Sequence, residues 1–248
     1  MNARRITLFA GHYGSGKTNI ALNYARMLKK AGETVAIADL DIVNPYFRTK
    51  DSAADLQAEG IDLIVSDFAN SNVDFPALPK EIYGLVAPIE QSEQSNNRTI
   101  PHVVIDVGGD DRGALALGRY VPDIKVEGDY EMLAVVNASR PLTRTAQDAV
   151  EVLREIETAC QLPFTGIVNN TNLGPQTTDE TVLGSKSYAD EIAALMNIPV
   201  RFTCAPTAIA AKLKGRIENL LPLEIQKLYY QVNDSFGHIA ICSRDECV

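Results

Sequence analysis

Ile6-Thr7-Leu8-Phe9-Ala10-Gly11-His12-Tyr13-Gly14-Ser15-Gly16-Lys17-Thr18-Asn19-Ile20 is the stretch that decides the fold. Residues 6–10 are apolar or β-branched and read as a short buried strand, whereas from Lys17 onward Ile20, Tyr24, Met27, Leu28 and Ala31 recur at helical spacing. Between them, residues 11–18 match G-x-x-x-x-G-K-[ST] in full. Glycines let such a loop curl until successive backbone N–H groups point inward, and the helix that follows adds the partial positive charge of its N-terminus. The result is a cradle for phosphate oxygens. Lys17 is placed to reach the β- and γ-phosphates, and the Thr18 hydroxyl to take a position on Mg²⁺.

Outward from the loop, Gly32 stops the helix and residues 34–38 return to strand character, completing a β-α-β unit. Further strands are predicted at 62–66, 102–107, 131–137, 164–169 and 200–203, with helices at 143–160, 178–197 and 223–233. Strands alternating with helices of ten or more residues predict an α/β fold of three α/β/α layers around a mostly parallel sheet, as in P-loop NTPases. The 248 residues read as one domain. Residues 70–98, rich in Pro, Asn, Ser and Gln, are a surface excursion rather than a boundary, because strand-like segments stand on either side.

With 46% apolar and 22% charged residues, disordered and disulfide-framework classes drop out. A net charge of −9 opposes binding to a nucleic-acid backbone, which needs clustered Lys and Arg. Apolar runs such as Met132 to Val136 are far too short to span a bilayer, and MNARRITLFAG does not read as a signal peptide. A cytoplasmic protein that binds neither DNA nor membrane is expected, with Cys160, Cys204, Cys242 and Cys247 as reduced thiols.

Two acidic segments join the loop. Asp39-Leu40-Asp41 ends the second strand, where residues two apart share a face and point from the carboxyl edge of the sheet. One carboxylate would hold magnesium water and the other would orient the attacking water. Val103-Val104-Ile105-Asp106-Val107-Gly108-Gly109 has the form of a magnesium-associated acidic strand followed by a γ-phosphate-sensing loop, in which Gly108 and Gly109 allow close backbone approach.

The loop with its extra Gly14, the Asp-x-Asp and the apolar strand into Asp-x-Gly-Gly together resemble the CobQ/CobB/MinD/ParA nucleotide-binding group. That class also holds the nitrogenase iron protein, the CooC-type nickel-insertion ATPases and the arsenical-pump ATPase. The resemblance implies ATP and Mg²⁺ as cofactors, bound along the loop and its first helical residues through Asn19, and a homodimer that closes on the nucleotide. It implies water activation by Asp41 and a magnesium shell of Thr18, Asp39 and Asp106. It also implies adenine reading by Asn170 or its neighbour Asn169, with the segment from Cys204 through Ala205 to Pro206 closing the other side of the base. Many relatives carry a signature Lys at the loop's second position, where this chain has His12; an imidazole is shorter and only partly charged near neutrality. Arg48 or Arg112 could supply that charge instead.

The ending IAICSRDECV has too little positive charge for a MinD-like membrane anchor. Some relatives bridge a metal or iron–sulfur cluster between subunits with two cysteines from each, a reading that Cys242 and Cys247 invite beside that of plain tail thiols; with His238 they do not make a closed tetrahedral site within one chain. Three functions remain open at this point. They are an ATP-hydrolysing switch acting on an unidentified client, an ATP-dependent ligase or small-molecule kinase similar to dethiobiotin synthetase, and a regulator that binds nucleotide without turning it over.

Overall fold

The computed structural model describes residues 3–40, 53–65, 80–88, 101–109, 111–224, 229–233 and 239–243. Eight strands form one parallel sheet: β1 (Ile6–Ala10), β2 (Val35–Leu40), β3 (Asp62–Val65), β4 (His102–Val107), β5 (Tyr130–Val136), β6 (Gly166–Asn169), β7 (Val200–Pro206) and β8 (Leu220–Leu223). Their spatial order is β3-β2-β4-β1-β5-β6-β7-β8. The connections include helices α1 (Lys17–Lys30), α2 (Ala53–Ala58), α3 (Lys80–Val86), α4 (Asp111–Gly118), α5 (Val121–Glu127), α6 (Ala146–Cys160), α7 (Asp179–Gly184), α8 (Lys186–Met196) and α9 (Thr207–Leu213). An antiparallel pair, β9 (Tyr229–Asn233) with β10 (Ile239–Ser243), stands apart from the sheet.

Successive strand residues face opposite layers. Ile6, Leu8 and Ala10 of β1 join a core with residues of α3, α4, α5, α6 and α8, whereas Phe9 joins the α1 core with Ile20, Tyr24 and Leu28. The helix α1 ends as the sequence predicts. Gly32 takes φ +94°, its N–H reaches the Lys29 carbonyl, and the Glu33 N–H reaches Leu28, satisfying carbonyls that the helix leaves open. Helix α6 starts at a capping box, in which Thr145 accepts from the Asp148 N–H and Asp148 accepts in return.

Under α1, Phe9 meets Tyr24 edge-on with centroids 5.4 Å apart, and Tyr24 stacks on Phe202 at 6.1 Å. All three are buried. Phe202→Ala removes the ring that joins β7 to this cluster and is expected to cost roughly 3–5 kcal/mol, to be read from denaturant unfolding; a loss below 1 kcal/mol would mean that the cluster is not a core element. Beside it, the buried carboxylate of Glu131 accepts hydrogen bonds from Thr7 and Tyr24 (both 3.3 Å) and from Arg201 Nε (3.1 Å). Gly166 of the intervening strand makes this possible, because a Cβ there would collide with the Arg201 stem as it crosses β6. Burial, then the Glu131 charge, pushes the Tyr24 hydroxyl up to about 12.

Two of the predicted helices differ from the structure, and α2, α3, α4, α5 and α9 are helices that the sequence pattern did not predict. The helix predicted over 178–197 is two helices broken at Ser185, whose hydroxyl donates to the Val182 carbonyl and also accepts from the Asn169 amide. The helix predicted over 223–233 is absent from its described residues. Leu220–Leu223 instead pairs with the end of β7, at the sheet edge where Pro222 is tolerated, and Tyr229–Asn233 pairs with β10. Leu, Ile and Tyr spacing there fits either period, and pairing rather than propensity decided it. Within the predicted excursion, residues 80–86 form α3, and most of the remainder lies outside the described residues. Cys160 and Cys204 are buried free thiols, both pushed up by burial.

Candidate functional site

Because neighbouring strands are parallel, the segments after β1, β2, β4, β5, β6 and β7 all emerge at one carboxyl edge. The β1–α1 loop stands near the middle. Gly16 caps α1 with φ +93° and ψ 22°, a left-handed conformation that lets the chain turn directly into the helix. The Lys17 ammonium folds back to donate to the His12 carbonyl at 3.2 Å. His12 Nδ1 lies 2.9 Å from the Tyr13 carbonyl, which can only accept, so Nδ1 carries the proton. The imidazole is thereby tied to its own loop.

Register brings the acidic groups together. Asp39 of β2 is the direct neighbour of Asp106 of β4, and Phe9 of β1 is the neighbour of Asp106 on the other side. Both carboxylates fall on the α1 face of the sheet, since Ala38 and Leu40 face the opposite core and so do Ile105 and Val107. Both are buried, and the Thr18 hydroxyl donates to Asp106 Oδ2 at 2.6 Å. Adjacent strands are only about 4.8 Å apart, so two buried carboxylates side by side repel each other. A divalent cation offsets that repulsion, and the donors on offer, one hydroxyl and two carboxylates, are the hard oxygens that Mg²⁺ prefers. The residues present fit magnesium.

Gly108 and Gly109 reach the loop from β4. A Cβ on Gly109 would stand 2.8 Å from Lys17 Nζ and 2.9 Å from the Tyr13 nitrogen, so glycine is what allows this approach. On the opposite flank, Asn170 Nδ2 donates to the Ser15 carbonyl at 2.7 Å and clamps the loop to the end of β6. Asn169 faces elsewhere. Its amide donates to Ser185 Oγ at 2.8 Å and its carbonyl accepts from the Thr171 N–H, so both ends are used inside the protein. Ala205 is buried beside Val182 and Leu213, and Pro206 ends β7, the strand next to β6, as the N-cap of α9. Asn19, half-buried, gives its carbonyl to Asn23.

An alanine at position 16 is strained by the left-handed backbone and its Cβ would run into the Asn170 amide. Gly16→Ala is therefore expected to destabilise the fold by about 1–3 kcal/mol and to break the Asn170–Ser15 clamp. A thermal melt unchanged from the parent would contradict the observed loop conformation.

The family description for the CobQ/CobB/MinD/ParA nucleotide binding domain matches residues 6–201. The chain belongs to this family. No functionally curated protein matches it in sequence. Among solved structures, it is similar to the cell division protein FtsY of Thermotoga maritima at 17% identity, over 81% of this chain and 61% of that one, with a TM-score of 0.52. It is likewise similar to the 54 kDa signal recognition particle protein of Aeropyrum pernix K1, solved in complex with GDP, at 17% identity over 80% of this chain and 40% of that one, with a TM-score of 0.51. The chain thus spans less than two thirds of these proteins, and identities this low speak to the fold alone. A P-loop nucleotide-binding domain is the reading that the family match and the fold share.

Of the site residues inferred from sequence, the structure brings the 11–18 loop, Asp39, Asp106, Gly108, Gly109 and Asn170 together. Asp41 and Arg48 lie outside the described residues, as do His238 and Cys247; the side chains of Arg112 and Cys242 are likewise not described. Sequence reasoning missed Arg140, whose guanidinium packs against Gly14. The available signal was its place in Asn137-Ala138-Ser139-Arg140-Pro141, directly after a strand, but no motif marks it. No helix among the described residues is long and apolar enough to cross a membrane.

Proposed function

We propose that this family member is a magnesium- and ATP-dependent molecular switch that hydrolyses its nucleotide. The observation that carries the reading is the 2.6 Å hydrogen bond from Thr18 to Asp106, with Asp39 in register beside it at the mouth of the loop. Thr18, Asp39 and Asp106 would hold Mg²⁺, which when bound would neutralise phosphate charge. The chain's own groups do the rest. Loop N–H groups and Lys17 hold the phosphate tail, Asp41 orients the attacking water, and the Gly108–Gly109 segment meets the γ-phosphate and relaxes when it leaves.

Adenine is preferred in this reading because the segment after β6 runs Asn170-Thr171-Asn172-Leu173. A guanine-reading N-K-x-D segment would end in a carboxylate, where this chain has an exposed leucine. GTP is the second reading, favoured by the GDP found in the A. pernix structure. A homodimer is proposed to read the bound state. Support comes from Tyr13, Leu142 and Leu173, three exposed large apolar side chains on the loops that follow the adjacent strands β1, β5 and β6.

Calorimetry with ATP and GTP, each with and without magnesium, followed by phosphate release across a range of protein concentrations, tests the proposal. Magnesium-dependent ATP turnover without any added metabolite is expected. Tight binding with turnover only after a small-molecule acceptor is supplied would replace the switch by a kinase, and GTP preference would replace the nucleotide.

A further inference from the structure

We infer that Arg140 is a phosphate-contacting residue of this site, adding a second positive charge to that of Lys17. The inference rests on the nucleotide-binding reading above. Arg140 Nε, Cζ and Cδ lie 3.6, 3.7 and 3.9 Å from where a Cβ on Gly14 would stand, so the guanidinium lies against the phosphate loop itself. Gly14 adopts φ +74° there.

The segment that presents Arg140 is built rather than slack. Buried Asn137, just past β5, accepts from the Ser139 N–H through its side chain (2.9 Å), and its carbonyl accepts from the Arg140 N–H (3.1 Å) and from the Thr143 hydroxyl (3.0 Å). Pro141 follows Arg140 and holds it extended, at φ −97° and ψ 137°, so the chain does not enter the next helical turn until after the arginine. The Thr143 N–H then closes that turn on the Arg140 carbonyl. The backbone of Arg140 is fixed by four residues of its own loop, and the side chain is left exposed at the rim.

The charge balance of the loop explains why a cation is needed there. Lys17 stands beside Gly109 and donates to the His12 carbonyl, and the His12 ring is tied to the Tyr13 carbonyl. Asn170 clamps the side that faces β6 with a neutral amide. Arg140 stands on that flank, just past β5, and its planar fork can bind two phosphate oxygens at once.

The experiment uses the full chain and calorimetric titration with Mg-ATP, Mg-ADP, Mg-GTP and Mg-GDP. Arg140→Met keeps a long apolar stem on Gly14 and removes the charge, whereas Arg140→Lys keeps charge and loses the fork. For the nucleotide that the parent binds, Arg140→Met is expected to weaken both tri- and diphosphate by about ten- to a hundredfold, with Arg140→Lys recovering part of the loss and melting temperatures unchanged. Parent-like affinity in Arg140→Met would overturn the assignment while leaving nucleotide binding intact. Equal losses in Met and Lys variants with a lowered melting temperature would make Arg140 a structural part of the loop and would also overturn it. A parent protein that binds none of the four nucleotides would remove the nucleotide reading, and this inference with it.

Discussion

Lys17→Ala is expected to lower nucleotide affinity by at least about a hundredfold while leaving the fold intact. The ammonium makes charge-assisted contacts to phosphate oxygens in the bound state, and such contacts are the strong ones. In the structure the ammonium donates to the His12 carbonyl within its own loop, and the melting temperature should change far less than the affinity. Calorimetry with ATP and GTP beside a thermal melt separates the two effects. Retained affinity in a folded Lys17→Ala protein would mean that the loop is a glycine-rich turn without a phosphate role.

Asp106→Asn should reduce magnesium-dependent turnover by about a hundredfold or more, with nucleotide binding in the absence of magnesium changed by much less. The substitution keeps the size of the side chain and an acceptor for the Thr18 hydroxyl. What it removes is the negative charge that a divalent cation needs beside Asp39. Steady-state phosphate release measured across a magnesium titration gives the answer. If Asp106→Asn hydrolyses as fast as the parent at the same magnesium concentration, the carboxylate pair at the ends of β2 and β4 is not a metal shell. The contrast with Lys17→Ala is informative, because one variant fails at binding and the other after it.

Local sequence fixed much of the site. A strand, a curled glycine loop and a helix are consecutive in the chain, so their chemistry is readable without knowing any distant contact. The strand at 6–10 and the strand at 102–107 were found at their observed ends for the same reason: each is a short, continuous apolar run that a sheet covered on both faces requires. The last predicted helix differs because residues 223–233 carry no unambiguous period, and pairing with β7 and β10 decides the conformation of Leu223 and of residues 229–233. The break at Ser185 was invisible for a similar reason, since the Asn169 amide that meets its hydroxyl comes from sixteen residues away.

The sequence by itself determined that this protein folds as a parallel α/β domain with a phosphate loop, because hydrophobic period, glycine placement and the lysine-threonine pair act over a few neighbouring residues. Tertiary structure alone decided which strands became neighbours. It set Asp39 beside Asp106, brought Thr18 onto Asp106 across 88 positions of chain, turned Asn170 rather than Asn169 toward the loop, and laid Arg140 against Gly14. The physical reason is that strand order and register are set by the packing of whole layers, through contacts between segments that are remote in sequence, and no local pattern records where such segments will meet.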